Sequence, residues 1–182
     1  MSSLSFTVRS GGGLLRVLQT RCHVAVAFDP ATAAQPFPPF SEFQAIWDTG
    51  ATNSVITQQV VNSVGLKPTG MTQVHGFNSA GLAETFLVNI GLPNGVAVTQ
   101  VPVTKGTLGG GVDILIGMDI ITTGDFVITN RGGTTVFSFS YPSRRFIDFV
   151  QEDGTAANAN RPGFRGFNPP PPKHVGKKGK RR

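Results

Sequence analysis

Cysteine is nearly absent from this 182-residue chain. Cys22 stands alone, which excludes an internal disulfide and any cysteine-based zinc cluster. Charge is sparse at 14% of residues, and Trp and Tyr occur once each. A chain so poor in charge and so rich in Gly (23) and Pro (13) is not built as a coiled coil or helical bundle. It contains no apolar run long enough for a transmembrane helix, so no membrane span is expected. What remains is a β-rich chain of one domain's length in a reducing, cytoplasmic setting.

The net charge of +6 dissolves when it is split by position. Residues 161–182 carry half of the 16 basic residues, ending in Lys177, Lys178, Lys180, Arg181 and Arg182, and no acid. The other 160 residues therefore hold eight basic residues against all ten acids, a net of −2. A segment of this composition, with Pro169 to Pro172 at its centre, cannot bury a core and is expected to be disordered. Nucleic acid or an acidic surface could be attracted to it, although a solvated end is the plainer reading. Met1 to Phe28 carries Arg9, Arg16 and Arg21 without an acid, as transit peptides do, so organelle targeting stays open. Arg16 interrupts the one candidate secretory core. The same stretch reads better as two strands, Leu14 to Leu18 and His23 to Phe28, after a Gly11–Gly13 turn.

Further along, Pro30 to Pro39 is a connector. Strands are expected at Phe43–Trp47, Ser54–Ile56, Met71–Phe77, Leu82–Leu92, Val96–Thr104, Asp113–Ile116, Phe126–Thr129, Thr134–Ser140 and Arg144–Val150. Thr57 is placed to cap a short helix over Gln58–Val64, closed by Gly65, and Met118–Thr123 is a second. Many short strands and two helical turns predict an all-β, barrel-like fold. The division expected is 1–40 for N-terminal strands and connector, 41–150 for the main domain, and 151–182 for the basic tail.

The chemistry concentrates at Asp48-Thr49-Gly50-Ala51. A carboxylate at the end of a buried strand, followed by a small hydroxyl residue and Gly, makes a tight loop whose backbone N–H groups can hold it. Asp-Thr-Gly alone is an ordinary turn. It gains meaning from Ile114-Leu115-Ile116-Gly117, a strand able to lie beneath the loop, and from a hairpin between the two with the tip Asn78-Ser79-Ala80-Gly81. Other constellations fall away. Gly106 to Gly111 lacks the Lys-Ser/Thr of a phosphate loop, and no Gly-x-Ser-x-Gly occurs. Cys22 and His23 should face opposite sides of a strand. His23, His75 and His174 are too scattered for a metal, so neither metal nor cofactor is expected. Asp119 is placed to cap the second helix.

Together, the stretch from Asp48 to Ile56, the hairpin around Gly76 to Gly81, and Leu115-Ile116-Gly117-Met118-Asp119 resemble a retropepsin-like aspartic protease, of the single-lobe cellular or bacterial type. Viral members pair an acid after the Asp loop with an arginine after the late Gly; here those positions are Thr52 and Met118, so that ion pair is absent. The resemblance implies a closed β-barrel-type domain and an endopeptidase in which two aspartates share one proton. The chain has one Asp-Thr-Gly, so the resemblance implies a symmetric homodimer with one Asp48 from each copy. Thr49 would bond its mate across the axis, Gly50 would offer its carbonyl to a peptide substrate, and Ala51 and Gly117 would support the loop. Gly76, Phe77, Asn78, Ser79, Ala80 and Gly81 would form the flap, and Phe126 to Ser140 would supply dimer strands. A catalytically silent dimerisation module and a nucleic-acid binder acting through 161–182 are the rival readings.

Overall fold

The computed structural model describes residues 4–75 and 80–152. They fall into two units, residues 1–145 and 146–182. In the first, strand β1 (Leu4–Arg9) and β2 (Gln19–Val26) precede β3 (Ser41–Trp47), β4 (Val55–Ile56) and helix α1 (Gln58–Val64). Strands β5 (Gly70–His75), β6 (Ala80–Gly91), β7 (Ala97–Lys105) and β8 (Ile114–Ile116) follow. Helix α2 (Met118–Ile121) leads into the hairpin of β9 (Asp125–Thr129) and β10 (Val136–Tyr141). The second unit contributes one helical turn, α3 (Phe149–Glu152), opened by the Asp148 carboxylate and carbonyl, both accepting from the Gln151 N–H.

Six strands close on themselves in the order β2-β3-β8-β4-β7-β6, with β6 returning to β2 and β5 attached to the far edge of β6. The period-2 pattern explains why. In β3, Phe43, Ala45 and Trp47 are buried between exposed Glu42 and Gln44, and in β2 Thr20, Cys22 and Val24 turn inward between Arg21 and His23. Short β8 is buried at Ile114 and Ile116, as a central strand should be. A bulge at Asn89 lets β6 curve; its buried amide donates to the Phe28 carbonyl at 2.8 Å and accepts the Gln100 N–H at 2.8 Å. The molecule is mostly β, with a closed six-stranded barrel and a few short helical turns.

A second sheet, β1-β10-β9, carries Phe6, Phe137, Phe139 and Phe126. All four rings lie within 5.1–5.9 Å of Trp47, centroid to centroid. The Trp47 indole N–H is satisfied by Thr20 Oγ1 at 2.9 Å. This aromatic cluster sits directly behind the residue that precedes Asp48.

Three expectations fail. Leu14 to Leu18 is not a strand: Leu14, Leu15 and Val17 are exposed in a loop, and the first strand is Leu4–Arg9. Arg144 to Val150 is not a strand either, because the Asp125 carboxylate takes the Ser143 hydroxyl and the Arg144 and Arg145 N–H groups, leaving that backbone unavailable to a ladder. Thr57 precedes α1 as expected but makes no side-chain cap, and its hydroxyl is buried without a partner. The helix does end at Gly65 in the left-handed region (φ 71°), with Leu66 N–H reaching back to the Val61 carbonyl.

Candidate active site

Strand β3 delivers Asp48 to the end of the barrel. The chain enters the loop from β3, which runs parallel to β8, and leaves on β4, which runs antiparallel to the same β8. Both ends of the Asp48 loop are thereby fixed to one buried strand. Asp48 N–H donates to the Ile116 carbonyl at 3.0 Å, and Gly50 N–H donates to Asp48 Oδ1 at 2.8 Å, so the carboxylate is held by the loop that follows it. Asp48 is half-buried; Thr49 and Gly50 are exposed.

The turn after β8 closes the loop from below. Met118 N–H reaches the Ala51 carbonyl at 2.8 Å, and Asp119 N–H reaches the Thr52 carbonyl at 3.1 Å. Gly117 is required by space, not by dihedral angle. A Cβ there would lie 2.6 Å from the Asn53 carbonyl carbon and 3.0 Å from the Ala51 oxygen. Asp119 is not the cap of α2, since Gly117 occupies that position. Its carboxylate instead receives the Ser54 hydroxyl at 2.8 Å, the Ser54 N–H at 2.9 Å and the Ile120 N–H at 3.0 Å.

The structure thus brings Asp48, Thr49, Gly50, Ala51 and Gly117 together in one loop pair. Of the flap residues, Gly76, Phe77, Asn78 and Ser79 lie outside the described residues. Ala80 and Gly81 open β6, paired with His75 and Val74 of β5. The hairpin and the Asp loop share a cavity of about 170 Å³, lined by Asn53, Thr72, Thr85, Pro102, Val103 and Thr104. The Ser54–Asp119 contact and these cavity residues were not singled out in the chain, where Asp119 read only as a helix cap, because such roles come from partners far away in sequence. Among the described residues, no group of three His, Cys, Asp or Glu is arranged to hold a metal.

Residues 41–120 match the family model described as aspartyl protease, and that span runs from the start of β3 into α2, covering the whole loop pair. Over that span the chain is similar to aspartyl proteases. No curated protein matches the chain. Among solved structures, a retropepsin-like aspartic protease from Rickettsia conorii is similar at 12% identity, over 77% of this chain and 96% of its own, with a TM-score of 0.48. The retroviral protease-like domain of Ddi1 from Leishmania major is similar at 15% identity, over 68% and 95%, with a TM-score of 0.39. At such identities no residue role passes from either to this chain.

Proposed function

We propose that the chain is an aspartic endopeptidase, active as a homodimer in which each copy contributes one Asp48. The observation that carries this is the held carboxylate: Asp48 on a fixed loop, bonded by Gly50 N–H, above a glycine with no room for a side chain. Two such carboxylates facing one another cannot both ionise at low cost, so they share a proton and titrate as a pair. The ionised member takes a proton from water as it attacks the scissile carbonyl. The protonated member donates to the carbonyl oxygen, and the resulting diol collapses as the amine leaves with a proton.

Two features support pairing through the hairpin strand β9. The outer edge of β1 is engaged where the Asn94 side chain donates to the Leu4 carbonyl at 2.9 Å, whereas no described strand pairs with the outer edge of β9. Phe126 of β9 also stacks on Trp47 at 5.9 Å, so a second copy added at this edge would approach the residue next to Asp48. A twofold β9–β9 pairing would join two three-stranded sheets into one of six.

The test is a peptide-library digest. Wild type should cleave and Asp48→Asn should not, at unchanged dimer mass; full turnover by the purified variant would sink the proposal. Binding of nucleic acid by residues 161–182, which lie outside the described residues, is a separate proposal. Deleting them should remove binding in a filter assay and leave turnover intact.

A further inference from the structure

Asp119 is an acid beside the Asp48 loop whose bonds the proposed mechanism does not use. It sits at the start of α2 and faces Ser54, the fully buried last residue of the Asp48 loop. Its two oxygens are divided between two segments. Oδ2 takes the Ser54 N–H at 2.9 Å, while Oδ1 takes the Ser54 hydroxyl at 2.8 Å and the Ile120 N–H at 3.0 Å. The Ser54 hydroxyl oxygen in turn accepts the Gly117 N–H at 3.1 Å. One carboxylate therefore closes a ring through the loop that carries Asp48, the glycine beneath it and the helix behind it.

We infer that Asp119 is a positioning residue, a carboxylate clamp that holds the Asp48 loop on the β8–α2 turn. The chemistry requires an acid and not its amide. Each oxygen faces a backbone N–H, one from Ser54 and one from Ile120. An asparagine can satisfy one of them only by turning its NH2 toward the other, donor against donor, in either orientation. Loss of the clamp frees the segment Ala51–Ser54 to shift, and the carboxylate that Gly50 N–H holds shifts with it.

The inference rests on the reading of Asp48 as the catalytic carboxylate, so the experiment has two readouts. The full chain is compared with Asp119→Asn, Ser54→Ala and the double variant, by steady-state kinetics at a temperature where each is folded and by amide hydrogen exchange at Gly50, Ser54 and Gly117. Expected for Asp119→Asn is a fall in kcat of roughly 10- to 100-fold, as for other small displacements of reacting groups. KM should stay within about threefold, and exchange at Ser54 and Gly117 should quicken. The double variant should fall short of the product of the single losses, because both break one ring. Should Asp119→Asn not fold, Ser54→Ala carries the test, with lowered kcat and quickened exchange at Gly117. Folded variants with wild-type kcat, even at reduced melting temperature, would overturn the inference. Quickened exchange in a protein whose wild type cleaves nothing would leave the clamp standing and remove the protease reading instead.

Discussion

Gly117 shows how one absent methylene can set the geometry of a site. A side chain at this position would meet backbone on two sides, at Asn53 and at Ala51, and backbone does not yield as the tip of a side chain would. Gly117→Ala is therefore expected to cost about 1–3 kcal/mol, the usual penalty of overpacking, and to lower turnover by displacing the Asp48 loop. Urea denaturation and kcat of the folded variant read the two effects separately. Cys22 gives a prediction of a different kind. Burial pushes its thiol from an ordinary 9.0 up to about 11, against the smaller opposite pull of the Thr20 hydroxyl. The folded state thus keeps a proton that the unfolded state releases, so stability is intact below pH 9 and is lost as pH rises toward 11. Unfolding curves at pH 8 and 10.5 should differ in that direction, and Cys22→Ala should shrink the difference. The Asp48-Thr49-Gly50 loop and its later glycine were legible because each is a short local pattern. The Ser54–Asp119 bonds were not, since 65 residues separate the partners and only the fold brings them together.

Elements were legible where alternation was strong. Strand β3 runs from Ser41 to Trp47 with every second side chain buried, and the pattern in the chain says as much. The first strand was misplaced for the same physical reason. Leu4, Phe6 and Val8 alternate with polar residues and pair with β10, whereas Leu14, Leu15, Val17 and Leu18 form a run without alternation that no sheet face can bury. At the other end, Asp125 decides the local structure. Its carboxylate is held below the usual range first by the Ser143 hydroxyl and then by the Arg144 N–H, which ties down the chain after β10. Because this pKa is lowered in the folded state, its contribution is present above the ordinary 3.8 and is lost as pH falls below it. Strand β9 carries the element-scale test of assembly. Ile128 is 43% exposed on an edge strand, and a charge there opposes strand addition. Ile128→Lys should leave the monomer folded by circular dichroism while shifting sedimentation to the mass of one chain and abolishing turnover. A dimer that survives the substitution would place the contact elsewhere.

At the scale of the whole molecule, the account joins three things that do not depend on one another. The barrel fixes Asp48 through β8, the aromatic cluster around Trp47 connects β3 to β9, and the outer edge of β9, with which no described strand pairs, is where the proposed second copy would add. The barrel-like class could be read from many short strands and few helical turns. Closure was expected only through the family resemblance, because it depends on β6 pairing with β2 across a bulge that local pattern does not mark. In the proposed mechanism the pairing of two chains is the deciding step, since one Asp48 alone would lack the partner carboxylate to share its proton. The direct test is to mix wild type with excess Asp48→Asn and follow cleavage per wild-type chain. If each active unit needs one Asp48 from each copy, activity per wild-type chain should fall steadily toward zero as mixed dimers replace wild-type ones. Constant activity per wild-type chain at every ratio would contradict the account, because it would mean that a single chain carries a complete site.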